Sequence, residues 1–484
     1  MVFDVYSPYE SYFFVMEEGR TRIVCTVGPA SASVTTLHRM MSAGMDVARF
    51  NFSHGTHAEH AELMKAVRTA AKKAGKHVAI LQDLQGPKIR VGELPAKGVE
   101  LHEGETVTFS GQSGIAYTKH LIPLTYNRLG KDVKKGDRIL LDDGYLEVEV
   151  LRVKGNAVSA IVKVGGLLKS HKGANFPDST LQESAFTKKD AEDLLFGIEQ
   201  EVDFVCLSFV SEAKVLHDVR ALMAREARKR GVRMPKLLAK VERKAALLVI
   251  DDIIDAADGI MLGRGDLGVE IPAEEVPVIQ KDVAERCRLS GKPLIVATQM
   301  LESMRENPRA TRAEISDVAN AVFDHADAVM LSAESATGRY PAVTVQAMAA
   351  VIREAEASRF DELHATKDAV NCIPSSLAHT VALMSERGLV SALVLSSSVG
   401  SLTGSMVMFR PHVPVIAVVP DEAGARRALL HYGVTPLVLD DQGGSFVPRL
   451  HALIHARLRL PKGQAIAYLA AGADRSISLS LLPL

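Results

Sequence analysis

The sequence predicts an α/β protein built on a closed (β/α)8 barrel, a TIM barrel, with an inserted small β-barrel lid and a C-terminal α/β domain. Three observations lead there. Between residues 21 and 334, eight short apolar runs alternate with longer stretches of helical period, the rhythm of parallel strands joined by helices. The third run ends at Leu84 and the fourth begins at Asp203, far more chain than a βα connection needs, so something is inserted between them. After residue 346 a further βα pattern follows. The length of 484 residues agrees, at roughly 150 residues per domain, with several domains.

The eight runs are TRIVCTVG (21–28), DVARFNFS (46–53), HVAILQDL (77–84), DFVCLSFV (203–210), KLLAKVE (236–242), DGIMLGRGD (258–266), PLIVATQ (293–299) and AVMLSAE (328–334). Polar residues recur at their C-terminal ends, the face on which barrel enzymes build active sites. The insert, 92–188, carries HEGETVTFS, GDRILLDDGYLEVEVLRV and NAVSAIVKV, alternating strands separated by Gly and Asp turns and placed to act as a lid. SALVLSSS, VPVIAVVP, TPLVLD and AIAYLAA are the strands expected in the last domain. The expected divisions are an N-terminal extension 1–20, a barrel of 21–91 and 189–345, a lid 92–188 and a C-terminal regulatory or oligomerisation domain 346–484. The extension holds three of the nine tyrosines, and a true start at Met16 rather than Met1 stays open.

Hydrophobic residues make up 47% and charged residues 24%, the balance of a folded globule. With 57 Lys and Arg against 58 Asp and Glu, the net charge of -1 provides no global field for nucleic acid or anionic membrane, so any anion site is local. No apolar run approaches the roughly 20 residues of a membrane span, and the first residues lack the pattern of an export signal. A cytoplasmic protein is expected. Cys25, Cys206, Cys287 and Cys372 show no CxxC spacing, which argues against a disulfide framework or zinc ribbon and for reduced, mostly buried thiols.

In the second run, period two places Val47, Arg49, Asn51 and Ser53 on one face and Ala48, Phe50 and Phe52 on the other. An Arg projecting into a barrel needs a partner or an anionic ligand, and its fork suits phosphate; an internal hydrogen-bond network is the other explanation. Lys240 and Glu242 are co-facial at the end of the fifth run, as a buried ion pair would also be. The sixth run delivers Gly263, Arg264, Gly265 and Asp266, glycines that admit a ligand to the backbone beside a second carboxylate. Two carboxylates beside one lysine suggest a hard divalent cation holding an anionic substrate. Thr298, ending the seventh run, adds a hydroxyl.

The stretches TRIVCTVGPAS (21–31), GMDVARFNFSHG (44–55), AKVE (239–242), GIMLGRGDLGVEIP (259–272), ATQMLESM (297–304) and TRAEISDVANAV (311–322) resemble the pyruvate kinase family, in its order. That resemblance implies transfer of the phosphoryl group of phosphoenolpyruvate to ADP, giving pyruvate and ATP, the last step of glycolysis. It implies Arg49 as a substrate-phosphate ligand, Glu242 and Asp266 as ligands of Mg2+ (or Mn2+), and Lys240 as the principal electrophile. Gly265, Asp266 and Thr298 would hold the substrate carboxylate. Arg90, at the base of the insert, would be a second catalytic phosphate contact. Asn51, Arg90 and Lys172 would serve the nucleotide, with Asp143 the lid carboxylate; His171 stands where a second lysine is common. Thr298 with associated water is the family's candidate proton donor to the enolate. A homotetramer and a small-molecule effector at the C-terminal domain are also implied.

The family commonly holds K+ near Asn51, Ser53, Asp83 and the backbone of Leu84, and many members read D-T-K-G-P-E-I-R-T across this turn. Here Asp83, Leu84, Gln85, Gly86, Pro87, Lys88, Ile89, Arg90 and Val91 stand instead, a combination similar to the family's potassium-independent branch. Lys88 would place a fixed ammonium where a mobile cation is otherwise needed, so that K+ is not required; a solvated turn lysine is the alternative. Ala333, Glu334 and Ser335 replace the usual Gly, Glu, Thr. SSSVGSLTG (396–404) reads as an effector phosphate loop or as a surface turn, and the family's glycine-rich closing segment is reduced to GADRSISLS. A Mg2+-dependent lyase or aldolase would not need Arg49, Lys240, Thr298 and the lid together, and a degenerate paralogue would not keep every mapped position.

Overall fold

The computed structural model describes residues 19–112, 114–119, 121–179, 181, 184–361, 363, 372–439, 450, 465–471 and 476–483. Met16 and nearly all of the expected N-terminal extension lie outside the described residues. Eight parallel strands close into a ring: β1 (Arg22–Thr26), β2 (Met45–Asn51), β3 (Ala79–Asp83), β4 (Phe204–Leu207), β5 (Lys236–Val241), β6 (Gly259–Gly263), β7 (Leu294–Ala297) and β8 (Ala328–Leu331). Both faces of these strands are covered, which is why they read as continuous apolar runs. Val24, Val47, Leu81, Leu238, Met261, Ile295 and Met330 fill the interior. Ile23, Ala48, Phe50, Ile80, Val205 and Leu262 pack outward in the layer shared with the helices.

Helix starts follow the capping signals. Thr56 with Glu59, Thr187 with Asp190 and Thr311 with Glu314 form reciprocal boxes that open helices His57–Ala74, Lys188–Glu199 and Arg312–Phe323. The helix Pro341–Glu356 crosses the expected boundary at 345/346. Its buried Val345, Met348, Ala349, Ile352 and Ala355 belong to the barrel core, so the barrel continues through that helix. Arg20, assigned by sequence to the extension, is likewise tied in: its N–H donates to Glu356 Oε2 at 2.8 Å and its carbonyl accepts from Gly433 N at 2.9 Å.

The insert between β3 and β4 pairs Ala174–Asn175, Arg138–Leu141, Leu146–Lys154, Ala157–Val164, Thr106–Ser110 and Leu121–Pro123 into a six-stranded sheet, in that order. A separate ribbon joins Val99–Leu101 to Gly166–Leu168. Phe109, Tyr126, Leu129, Val148, Val158 and Phe176 give it a core of its own. Its two crossings to the barrel are laced together: Val91 N donates to Lys172 O at 2.8 Å, His171 N to Val91 O at 3.0 Å and Ala174 N to Ile89 O at 3.0 Å.

The C-terminal sheet runs Val434–Val438, Val415–Val419, Val390–Leu395, Ala465–Ala471 and Ile477–Pro483, the first four parallel and the last antiparallel. The fifth strand is not among those expected from the sequence; it begins at Ile477, within the reduced GADRSISLS segment, of which residues 472–475 lie outside the described residues. This domain closes the floor of the barrel. Leu430 joins the interior residues, and Asp327 Oδ1 accepts from Arg410 Nη1 and from Tyr432 N, each at 3.0 Å. Asp327 Oδ2 accepts from Leu294 N at 3.1 Å, and the Arg410 guanidinium stacks 4.3 Å over the Tyr432 ring. Among the described residues no helix is long and apolar enough to cross a membrane. Cys25, Cys206 and Cys287 are buried free thiols and Cys372 is exposed.

Leu430→Ala should leave a cavity at the barrel floor and cost about 2–4 kcal/mol, seen as a lower thermal midpoint. Leu430→Met, which conserves volume, should stay near the parent. Equal melting of the alanine variant and the parent would contradict the floor contact.

Candidate active site

The C-terminal ends of the strands bring six charged side chains into one array. Arg49, from β2, donates Nε and Nη2 to Asp83 Oδ2 at 2.8 and 2.6 Å and Nη1 to Thr26 Oγ1 at 2.7 Å. Lys240, from β5, lies 3.7 Å from the same Asp83 oxygen and 2.8 Å from Glu242 Oε1. Glu242 Oε2 accepts from the Phe209 N–H at 3.2 Å, and its carboxyl hydrogen-bonds Asp266. Asp266 Oδ1 in turn lies 2.8 Å from Lys88 Nζ. Arg49, Asp83, Lys240, Glu242, Asp266 and Lys88 form one chain of contacts with three cations and three carboxylates, Glu242 and Asp266 standing side by side, so the formal charges balance.

Burial shapes its proton chemistry. Burial acts to lower the Lys240 ammonium, but Asp83 and Glu242 outweigh it and hold it above its usual range. Burial pushes Glu242 up to about 7 against the opposing pull of Lys240, with Asp266 adding to the rise. Asp266 is partly buried, which opposes ionisation, yet Lys88 and Lys240 hold it below the ordinary carboxylate range. Two touching carboxylates crowd negative charge that a divalent cation would relieve. Among the described residues no group of three or more His, Cys, Asp or Glu is placed to hold a metal ion by itself. A cation here would draw remaining oxygens from substrate and water, which is the habit of Mg2+.

Backbone geometry keeps the array open. A Cβ on Gly263 would stand 2.7 Å from Glu242 Cγ and 2.8 Å from its Oε1, so a side chain there would displace the carboxylate. Thr298 and Gln299 leave β7 with φ of 70° and 55°, strained for a β-branched residue. Gly265 N–H donates to Thr298 Oγ1 at 2.8 Å, and Arg264 Nη2 to Thr298 O at 2.9 Å. Arg264 is itself forked onto Asp317, with both contacts at 2.7 Å. Strain of this kind persists where surrounding bonds over-determine it.

The positions suggested for a monovalent cation already have partners. Asn51 Oδ1 accepts from Ser53 N at 3.1 Å, and Ser208 Oγ donates to Leu84 O at 2.7 Å while lying 3.3 Å from Asp83 Oδ1. On the lid side, Arg90 Nη1 donates to His171 O at 2.9 Å and Lys172 Nζ lies 2.6 Å from Asp142 Oδ1, Asp143 being its neighbour rather than its partner. Burial, with Arg90, Arg49 and Lys88 nearby, lowers the His54 imidazole below its usual range. Arg90, Arg49 and Lys88 thus lie on one side of this mouth, around His54.

Sequence reasoning missed Thr26, Ser208, the Phe209 amide and the Arg264–Asp317 fork. Thr26 and Ser208 stood at or just past strand ends and were within reach of the barrel rule. Asp317 lies inside a helix and carried no signal.

Gly263→Ala should displace Glu242 and lower turnover about 10²-fold in a folded protein, as misplacement of a site group does. Folding is checked by circular dichroism and turnover by a coupled assay of product formation. Full activity would contradict the packing of Glu242 on Gly263.

The family model "Pyruvate kinase, barrel domain" matches residues 18–345, and "Pyruvate kinase, alpha/beta domain" matches residues 375–466. A pyruvate kinase of Geobacillus stearothermophilus is 44% identical over 420 residues, covering 86% of this chain and 71% of that protein. A pyruvate kinase of Staphylococcus haemolyticus is 41% identical over 429 residues, covering 87% and 72%. The crystal structure of a pyruvate kinase from Cryptosporidium parvum superposes with a TM-score of 0.90 at 30% identity, covering 96% of each chain. Barrel, charge array and matched sequence agree, and the chain belongs to the pyruvate kinase family.

Proposed function

We propose that this phosphotransferase moves the phosphoryl group of phosphoenolpyruvate to ADP with Lys240 as its principal electrophile and with Lys88 in the role of a monovalent cation. The single observation that carries the reading of Lys88 is its ammonium 2.8 Å from Asp266, inside the array that also holds Lys240 and Arg49.

In this reading the bond from the enol oxygen to phosphorus breaks as a β-phosphate oxygen of ADP bonds to phosphorus, yielding ATP and the enolate of pyruvate. Charge spreads over the phosphoryl oxygens in flight, so fixed cations are what the chain must supply. Arg49 is already oriented by Asp83 and Thr26, and the Lys240 ammonium, kept charged by two carboxylates, would meet both the transferring group and the enolate oxygen. Gly265, Asp266 and Thr298 would hold the substrate carboxylate, and Arg90 would make a second phosphate contact. Asn51, Arg90 and Lys172 would serve the nucleotide, beneath a lid, with Asp143, that excludes water. Thr298 with associated water would protonate the enolate at carbon.

Glu242 and Asp266 would hold Mg2+ (or Mn2+), which supplies Lewis-acid charge at the phosphoryl oxygens. The engagement of Asn51, Asp83 and Leu84 with protein partners supports independence from K+. Exposed Leu248, Val278 and Ile373 are apolar surface that assembly into a homotetramer would cover. At the C-terminal domain, Ser396 Oγ accepts from Ser398 N at 3.1 Å where the short helix Ser397–Leu402 begins, a cluster of hydroxyls in keeping with a small-molecule effector site.

Lys240→Met should lower kcat about 10²–10³-fold or more, the cost of one lost electrostatic contact to developing charge. Lys88→Glu should lose activity in K+-free Tris buffer and recover part of it in KCl. Unchanged, salt-insensitive activity of Lys88→Glu would contradict the role given to Lys88.

A further inference from the structure

We infer that Lys88 competes with the divalent cation for Asp266: it pairs with that carboxylate in the substrate-free site and leaves it for the phosphate when metal binds. The inference rests on the reading of Lys88 and of the metal ligands proposed above, and it adds a coupling between them. Lys88 Nζ lies 2.8 Å from Asp266 Oδ1, the carboxylate expected to bind metal. One carboxylate oxygen cannot serve an ammonium and a dication fully at once, and the two cations repel each other at such range.

Of the three cations in the array, Lys88 is the one built to move. Arg49 is clamped by three hydrogen bonds to Asp83 and Thr26, and Lys240 sits between Asp83 and Glu242 with 11% of its side chain exposed. Lys88 and Asp266 are 22% and 19% exposed, so their exchange does not strand a buried charge. Room exists beside it: Gly173 has no side chain, and a Cβ there would come within 3.4 Å of Lys88 Cε. Lys88 also immediately precedes the Ile89–Val91 ladder that joins the lid to the barrel.

The near-neutral array explains why a cation must leave. Adding a dication beside three fixed positive charges is favourable only when one withdraws or an anion arrives. A phosphate does both, because it receives the released ammonium and ligates the metal. Metal and phosphate therefore each raise the affinity of the other, as linkage requires. Lys88 acts here as a positioning residue for the metal.

The test is Mn2+ binding to the full chain in K+-free Tris buffer, without phosphoenolpyruvate or nucleotide, followed by the electron paramagnetic resonance of free Mn2+. Lys88→Met should bind Mn2+ about tenfold more tightly than the parent, a typical coupling between sites. Lys88→Arg, which keeps the charge, should stay within about twofold of it. Equal or weaker binding in Lys88→Met overturns the competition, as does tightening of Lys88→Arg to the same degree. Should Lys88→Met not fold, the unaltered protein decides. After 13C-dimethylation of its lysines, the resonance missing from Lys88→Arg should shift when Mg2+ alone is added, and a fixed resonance overturns the proposal. The K+ dependence of Lys88→Glu is read separately. A K+ requirement there with no change in Mn2+ affinity would keep Lys88 as the fixed cation and remove only the competition.

Discussion

Six charges with little access to water, drawn from five loops and strand ends, must be held within contact distance, and much of the barrel's upper end is arranged around that constraint. Isolated, any one of them would be costly to bury. Pairing solves the problem: Arg49, Lys240 and Lys88 are set among Asp83, Glu242 and Asp266, and each carboxylate touches at least one cation. A closed parallel barrel suits the task because every strand ends on the same rim, so residues distant in sequence converge without long loops.

The supports are as specific as the array. Gly263 leaves space for Glu242, Thr298 takes a left-handed backbone held by Gly265 and Arg264, and Arg264 is fixed by Asp317. Gly263, Arg264 and Asp317 need not touch substrate to matter. Each sets the position of a group that would, and together they make the rim preorganised rather than adaptive. The lid has a core of its own and meets the barrel through the ladder of its two crossings and through Asn175, which hydrogen-bonds Glu270. Lys88 stands beside that ladder.

Much of this was legible in the sequence for physical reasons. Strands covered on both faces must be apolar throughout, so all eight barrel runs were visible, and a charged residue at such a strand's end has few uses besides chemistry. Arg49, Lys240, Glu242, Asp266 and Lys88 do converge. What stayed hidden lacked period or spacing. The lid's Val99–Leu101, Leu121–Pro123 and Ala174–Asn175 are too short to alternate. The helix Pro341–Glu356 crosses the expected boundary because composition does not change where the barrel core ends. The Arg264–Asp317 fork and the Leu430 plug join elements far apart in sequence, and no local pattern announces such pairs.

The role proposed for Lys88 is that of an ammonium fixed in the chain where a mobile cation would otherwise be needed. The direct measurement is pyruvate formation by the unaltered protein from phosphoenolpyruvate and ADP with Mg2+, in parallel Tris and KCl buffers free of other monovalent metal ions. Equal rates in the two are the predicted result. Activity that appears only with KCl would contradict it, leaving the enzyme assignment in place and removing Lys88 from the role given to it.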